Sequence, residues 1–292
     1  MVKFRKKIFC IAGTLLALLV IAILYLHNRS FAVLSPRGPV SHKEKSLIVF
    51  AAILSCIVVI PVYALTIVIA LRYRETNRTR KVKYRPNSDH SRIFEGIWWG
   101  IPLIIVSVLS VVTWQSSHAL DPYKSLDATV KSINIQVVNL DWKWLFIYPD
   151  NRVASVNQVA IPVNTPINFV ITSDTVMNSF WIPQLGSQIY AMPGMITQLH
   201  LMATKGGDYY GSPANISGKG FASMTFDVKA LSTSAFNTWI SHAEASSQKL
   251  SLQAYERLSA PSVNNPVEYF SSPSTNLFTY TVMKYMEPGG TQ

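Results

Sequence analysis

Two stretches near the middle of the chain decide the fold of its C-terminal half: residues 176–195, VMNSFWIPQLGSQIYAMPGM, and residues 206–226, GGDYYGSPANISGKGFASMTF. Both consist of short apolar segments separated by turn signals rich in glycine and proline. Neither contains a cysteine, and the two cysteines of the chain, Cys10 and Cys56, lie in apolar runs far upstream. A disulfide framework is therefore excluded for the C-terminal half.

Alternating apolar residues around these stretches predict β-strands. Ile133, Ile135 and Val137 alternate with polar residues, which is the period of a half-buried strand. Further strand-like segments follow at 142–148, 153–163, 167–172, 195–202 and 221–229. Short strands at this spacing predict an antiparallel β-sandwich over residues 129–230.

The segment 232–286 has a different pattern. Phe236, Trp239 and Ile240 have helical spacing, and several prolines break the segment into short pieces. We therefore predict an aromatic-rich helical tail that packs on the sandwich as a cap. A contact with another subunit is the alternative role of its large apolar side chains.

Hydrophobic residues make up 49% of the chain, and three long uncharged apolar runs, at residues 8–26, 46–71 and 96–117, account for this excess. A helix needs about 20 apolar residues to span the hydrocarbon core of a bilayer, so the second and third runs predict transmembrane helices. The first run follows a cluster of lysine and arginine residues and precedes the small residues around Ser30. Residues 1–32 are therefore either a cleaved signal peptide or a retained anchor.

The basic residues are concentrated beside the apolar runs. Residues 1–45 carry eight basic and one acidic side chain, residues 72–95 carry eight and three, and residues 116–292 carry ten and eleven. Because cytoplasmic loops are enriched in lysine and arginine, we expect 72–95 to be a cytoplasmic loop and the C-terminal half to lie outside the cytoplasm. That half is nearly neutral, so nucleic-acid binding is a poor explanation for the sequence pI of about 9.6.

The stretches 176–195 and 206–226, together with Asp141-Trp142-Lys143-Trp144, resemble subunit II of the respiratory haem–copper oxidases. The resemblance covers residues 35–286, and the segment pattern is most similar to that of the bacterial cytochrome bo-type ubiquinol oxidases. It implies a membrane-anchored α+β protein, in which a two-helix transmembrane hairpin precedes a cupredoxin-like Greek-key β-sandwich. We expect Trp142 and Trp144 to pack in the core and at subunit contacts, because large aromatic side chains dominate buried area.

The resemblance also identifies positions where a metal centre is missing. In the cytochrome c oxidases of this family, subunit II holds two copper ions through two cysteines, two histidines, a methionine and a glutamate carbonyl. The corresponding positions here are Asn178, Pro213, Asn215, Ser217, Phe221 and Met224. Only Met224 keeps the ligand type, and a thioether alone does not hold copper. We therefore expect no metal in this domain.

Loss of this copper implies a particular electron donor. Members of the family that lack it oxidise quinol, a hydrophobic donor that delivers electrons from within the membrane. The resemblance thus implies a non-redox accessory subunit of a proton-translocating oxidase that couples ubiquinol oxidation to reduction of dioxygen to water, without cytochrome c. It places the haems, the remaining copper and the quinol site in subunit I. The complex is expected in the bacterial cytoplasmic (inner) membrane, surrounded by lipid, with further subunits and with this sandwich on the periplasmic side.

One carboxylate is a candidate for proton transfer. Glu95 lies at the predicted cytoplasmic start of the third apolar run, and ionisable residues at such positions are functional more often than average. By resemblance it corresponds to the glutamate at the mouth of the proton pathway known as the K-channel. An interfacial acid that pairs with Arg92 or another basic neighbour is an equally good interpretation.

Two other functions are distinguishable from this one. A copper-bearing cytochrome c oxidase subunit II is disfavoured by the missing ligands. A membrane-tethered cupredoxin-like binding or assembly protein explains the anchor and the sandwich, but not the joint presence of Glu95 and the aromatic tail. A haem-bearing complex that co-purifies with the chain distinguishes the oxidase subunit from the tethered protein.

Overall fold

The structure is a computed structural model and describes residues 31–73, 91–128 and 130–286. The predicted signal peptide or anchor at 1–32 therefore lies almost entirely outside the described residues, as does most of the loop 72–95.

Two long helices precede the sandwich: α1, Pro39–Tyr73, and α2, Arg92–Ala119. Each is long and apolar enough to cross a membrane, and no residue in its most apolar part is buried. Both continue beyond the apolar runs, because propagating a helix into polar flanking residues costs little once its first turn exists. A helix that is hydrophobic on all sides is stable only against lipid or other apolar surfaces, so the surfaces of α1 and α2 suit a membrane.

The sandwich consists of two sheets with the strand orders β11-β3-β2-β1-β5-β8 and β4-β10-β9-β6-β7. The strands are β1 Ile133–Leu140, β2 Lys143–Tyr148, β3 Val153–Val156, β4 Gln158–Pro162, β5 Ile167–Ser173, β6 Asn178–Trp181, β7 Ile189–Ala191, β8 Thr197–Leu201, β9 Gly207–Pro213, β10 Phe226–Leu231 and β11 Glu268–Ser271. The predicted sandwich is confirmed. The strand predicted at 221–229 begins later, because its first residues form the 3-10 turn Phe221–Ser223.

The prediction of a wholly antiparallel sandwich is wrong for two strand pairs. β1 pairs with β5 in parallel, and so does β4 with β10. The reason lies at Asn157, whose φ of 54° lets the chain pass from β3 in one sheet to β4 in the other. After this crossing the chain returns to the first sheet as β5, where it runs in the same direction as β1.

The tail contains three helices, α3 Thr233–Glu244, α4 Leu252–Ser259 and α5 Leu277–Met283, so the helical prediction holds for most of it. It also contains β11, which pairs with β3 and extends the six-stranded sheet. The sequence EYFS is too short for its pattern to predict a strand. It becomes a strand because its backbone hydrogen-bonds to the edge of β3.

Alternation along β1 divides the core into two layers. Val137 belongs to the layer between the two sheets, whereas Val138 faces the layer beneath the tail. The first layer centres on aromatic rings, with Phe180 stacked on Phe226 at a centroid distance of 5.2 Å. The second joins the sheet to Tyr255 and Phe278 of the tail. The tail therefore packs on the sandwich as predicted.

Candidate functional site

The six positions matched to copper ligands lie together at one end of the sandwich. Asn178 begins β6 and Pro213 ends β9, and these strands pair through Phe180 and Pro213. The segment between β9 and β10 carries Asn215 and Ser217, and its 3-10 turn brings Phe221 and Met224 to the same place, where the Met224 N–H donates to the Phe221 carbonyl (3.1 Å).

Neutral hydrogen bonds link the polar members of this group, here called the neutral cluster: Asn178, Ser179, Asn215, Ser217 and Met224. Asn178 is fully buried, and its Nδ2 donates to Ser217 Oγ at 3.1 Å and to Met224 Sδ at 3.3 Å. Its Oδ1 accepts from the Ser179 N–H at 2.8 Å. Ser179 Oγ in turn donates to Asn215 Oδ1 at 2.7 Å. The amide of Asn178 is therefore saturated by partners of its own cluster.

This set of atoms does not fit copper. An amide nitrogen presents hydrogens rather than a lone pair, and here those hydrogens already occupy the lone pairs of Ser217 and of the Met224 thioether. Proline and phenylalanine at 213 and 221 provide no side-chain ligand atom. Soft thiolates, which a dinuclear or blue-copper centre requires, are absent from the C-terminal half. Across the described ranges no three His, Cys, Asp or Glu side chains converge on a common point.

An indole ring shapes the loop that carries Ser217. Trp142 Nε1 donates to the Ser217 carbonyl at 2.9 Å, and Trp142 itself has a φ of 60°. A Cβ at Gly220 would lie 2.3 Å from Trp142 Cγ, so only glycine permits the loop to approach the ring. Trp144 is fully buried, with its ring 5.4 Å from that of Phe180. Both tryptophans therefore pack as expected, Trp142 beneath the loop and Trp144 in the core.

A second cluster, which no pattern in the sequence predicted, surrounds a buried carboxylate. Its members, here called the charged cluster, are Asp174, Tyr255, Thr281, Lys284 and Tyr285. The Asp174 side chain has no exposed surface, and its Oδ1 lies 2.8 Å from Lys284 Nζ. Tyr285 donates its hydroxyl to the Asp174 carbonyl at 2.8 Å. The tail is thus bound to the sandwich through one carboxylate directly after β5.

Tyr255 completes this cluster in the interior. Its hydroxyl donates to Asp174 Oδ2 at 2.8 Å and accepts from Thr281 Oγ1 at 2.9 Å. Burial, and secondly the negative charge of Asp174, raise the pKa of Tyr255 well above its usual value. The same two causes raise the pKa of Tyr285. No sequence signal could have revealed this cluster, because the partners of Asp174 within it are 81 to 111 positions away.

A buried lysine also reaches the tail. Lys143 is 2% exposed, and its Nζ donates to the Ala260 carbonyl at 2.8 Å and to Ser262 Oγ. Burial lowers the pKa of Lys143, while the charges of Asp141 and Glu268 oppose that shift. The Lys143 side chain therefore joins β2 to the connection between α4 and β11.

Glu95 lies far from these clusters. It is half-buried in the first turn of α2, and its N–H donates to the Ser91 carbonyl at 2.9 Å. Along α2, Glu95 and Ala119 are separated by about 36 Å. Glu95 therefore lies at the end of α2 that is farther along the chain from the sandwich.

Comparison with known proteins identifies the relatives of each part. Residues 146–231 match the family described as cytochrome c oxidase subunit II, periplasmic domain, and residues 244–289 match the COX aromatic-rich motif. The first match spans most of the sandwich and includes the positions of the neutral cluster. The second covers the tail that carries Tyr255 and Lys284.

Similarity to whole proteins extends over both helices as well. The chain is 50% identical over 255 residues to ubiquinol oxidase subunit 2 of Acetobacter aceti, covering 87% of this chain and 82% of that protein. It is 48% identical over 255 residues to cytochrome bo(3) ubiquinol oxidase subunit 2 of Pseudomonas aeruginosa, covering 87% and 76%. Among solved structures, the periplasmic domain of cytochrome oxidase subunit II from Bradyrhizobium japonicum is 26% identical, with a TM-score of 0.38, and covers 41% of this chain and 96% of that one.

Proposed function

The chain belongs to the family of ubiquinol oxidase subunit 2, and we propose that it is the non-redox accessory subunit II of a proton-translocating terminal oxidase. The complex couples oxidation of ubiquinol to reduction of dioxygen to water. In this proposal the chain contributes two transmembrane helices, a sandwich that covers the membrane subunits and one residue for proton uptake.

The neutral cluster is the observation that carries the non-redox assignment. Asn178 and Ser217 stand at positions matched to copper ligands, and they use their polar atoms to hydrogen-bond each other and Met224. Electrons therefore have no metal relay through the sandwich. A water-soluble donor such as cytochrome c needs such a relay outside the membrane, whereas quinol reaches its oxidant within the bilayer. The cluster thus supports quinol as the donor.

The redox centres are assigned to the partner. We place the haems, the remaining copper and the quinol site in subunit I, which packs against α1 and α2. The exposed apolar surfaces of both helices support this, because they require lipid and partner helices to cover them. Further subunits of the oxidase complete the assembly.

Orientation follows from the distribution of basic residues. The segment 72–95 carries eight lysine and arginine residues, which favours a cytoplasmic location for it. The sandwich follows α2 and therefore lies on the other side, which is the periplasm if the complex resides in the bacterial inner membrane. The two helices then form a hairpin across this membrane.

Glu95 is proposed as the proton-uptake residue of this subunit. In the proposed orientation, the N-terminal end of α2 is at the cytoplasmic surface, where protons for dioxygen reduction are taken up. The half-buried carboxylate lies in the first turn of α2 and is flanked by apolar side chains, including Phe94 and Trp98, each of which is more than half exposed. In this proposal the carboxylate takes up a proton at the cytoplasmic surface and passes it on into the partner subunit.

Replacing Glu95 by alanine in the assembled oxidase tests this role. We expect severalfold slower quinol oxidation and slower haem reduction, measured by oxygen consumption and stopped-flow spectroscopy. Glu244→Ala, which removes an exposed carboxylate from the tail, is the matched control and should leave both rates unchanged. If Glu95→Ala and the unaltered enzyme oxidise quinol and reduce haem at equal rates, Glu95 is an interfacial acid without a role in proton uptake.

The proposed function as a whole is tested by purification through a tag on this chain. A haem spectrum, together with quinol-supported oxygen consumption, is the expected result. Metal analysis of the separately expressed sandwich and tail should show no copper. A colourless preparation would instead indicate a tethered protein outside the respiratory chain.

A further inference from the structure

A cationic cleft lies at the sandwich end of α1. Its volume is about 780 Å³, and it is lined by Arg37, His42 and Lys45 from the start of the described chain and by Lys205 from the connection between β8 and β9. Four basic side chains from two distant segments thus face one space.

Backbone hydrogen bonds fix two of these residues side by side. The Arg37 carbonyl accepts from both the N–H and the hydroxyl of Thr204, each at 2.8 Å. The Arg37 N–H donates to the Gln184 carbonyl, also at 2.8 Å. Because Lys205 follows Thr204 directly, Arg37 and Lys205 are held at the same rim of the cleft. Backbone hydrogen bonds, rather than flexible side chains, therefore position these two residues.

The positive charge of the cleft is not neutralised by the described part of the chain. No acidic residue lines it, and none of the described carboxylates forms an ion pair with Arg37, Lys45 or Lys205. Glu44, the acid next to Lys45, instead accepts a hydrogen bond from Ser187. The cleft therefore offers unpaired cationic donors.

An apolar wall continues from the charges along α1. Val49, Phe50 and Ile53 line the cleft, and Val49 and Ile53 are one helical turn apart on the same face. They are 44% and 59% exposed. The direction of α1 leads from the sandwich into the membrane, so the wall descends from the charged rim into the hydrocarbon region.

We propose that this cleft binds an anionic phospholipid in the leaflet next to the sandwich. Its phosphate lies between Arg37, Lys45 and Lys205, and an acyl chain follows Val49 and Ile53. Arginine and lysine donate charge-assisted hydrogen bonds to phosphate oxygens, and a basic pocket beside a transmembrane helix selects acidic head groups. The site goes beyond the proposed oxidase role, since neither quinol oxidation nor proton uptake requires it.

Photo-cross-linking in the assembled oxidase tests this site directly. Phe50 is replaced by p-benzoylphenylalanine, and the complex is reconstituted in phosphatidylcholine vesicles with a minor fraction of phosphatidylglycerol. Since each basic residue near an anionic surface contributes about 1 kcal/mol, we expect phosphatidylglycerol adducts to be enriched about fivefold or more over the vesicle composition. The same substitution at Tyr63, farther along α1, should give adducts that reflect the bulk composition.

Charge variants identify the cause of the enrichment. Arg37→Gln combined with Lys205→Gln should abolish it, whereas Lys219→Gln combined with Lys249→Gln removes the same charge elsewhere and should preserve it. Equal labelling by both lipids at Phe50 would overturn the proposal. A cross-link to residues 1–30 of this chain or to a partner subunit would also overturn it, because the cleft would then be a protein contact.

Discussion

The neutral cluster and the charged cluster begin only four residues apart, at Asn178 and Asp174, yet they connect different parts of the domain. The neutral cluster lies within the sandwich, and its donors and acceptors are matched among themselves. The charged cluster joins the sandwich to the tail and buries a carboxylate against Lys284 and Tyr255. The neutral cluster thus satisfies buried polar atoms without charge, whereas attachment of the tail uses a buried carboxylate.

The two clusters should respond differently to substitution. Removing a neutral side chain leaves its partners short of hydrogen bonds, which costs about 1–3 kcal/mol per buried group. Removing Asp174 takes away a charged acceptor that Tyr255 and Lys284 share, and hydrogen bonds to charged groups are the stronger ones, so this loss costs more. Stability measurements on the isolated sandwich and tail can separate these cases.

The largest expected change is a gain of metal at the neutral cluster. Restoring the ligand set with Asn178→His, Pro213→Cys, Asn215→Glu, Ser217→Cys and Phe221→His should convert a colourless domain into one that binds copper with intense thiolate absorption. Optical spectra and metal analysis measure this. The same variant with serine instead of cysteine at positions 213 and 217 is the control and should remain colourless. Failure of the full set to bind copper would show that the matched positions do not converge as a ligand shell.

The next largest effect is expected at the charged cluster. Asp174→Ala removes the partner of the partly exposed Lys284 and leaves the buried Tyr255 hydroxyl without its acceptor, so the free energy of unfolding should fall by about 2–3 kcal/mol. Urea titration of the isolated domain measures this. Asp208→Ala breaks the exposed Lys229 pair and should cost less than about 1 kcal/mol. Equal losses in the two variants would contradict a special role for Asp174.

A smaller loss is expected at the neutral cluster. Asn178→Ala leaves Ser217 and the buried Met224 sulfur without their donor and should lower the free energy of unfolding by about 1–2 kcal/mol. Asn168 donates to Asn134 near the surface, so Asn168→Ala should change stability by less than about 0.5 kcal/mol. An Asn178→Ala loss larger than that of Asp174→Ala would reverse the comparison between the clusters.

The smallest effect is a dependence on alkaline pH. The pKa of Tyr255 is raised in the folded state, so above the ordinary value of 10.0 the unfolded chain releases this proton while the folded chain keeps it. Stability is therefore fully present below that pH and falls as pH rises, by about 1.4 kcal/mol per pH unit for one tyrosine. Tyr255→Phe should reduce this slope by that amount in denaturant titrations at several alkaline pH values. Tyr210→Phe, at an exposed position, should leave the slope unchanged.

Local patterns predicted much of the molecule. The uncharged runs 46–71 and 96–117 correspond to α1 and α2, and alternation in β1 indicated the sandwich correctly. The short strands β6, β7 and β9 were not predicted, although they lie within the two stretches that carry the family resemblance. Their glycine- and proline-rich sequences have little strand character, and pairing with neighbouring strands makes them extended.

By itself, the sequence determined the two apolar helices and a sandwich without cysteine, because composition and residue identity alone carry these properties. Only the tertiary structure decided how Asn178, Ser217 and Met224 bond to one another, that the tail contributes β11, that Asp174 is buried against the tail and that Arg37 and Lys205 line one cleft. Each of these depends on contacts between residues distant in the chain, whose geometry is set by how two sheets and a tail pack around shared cores.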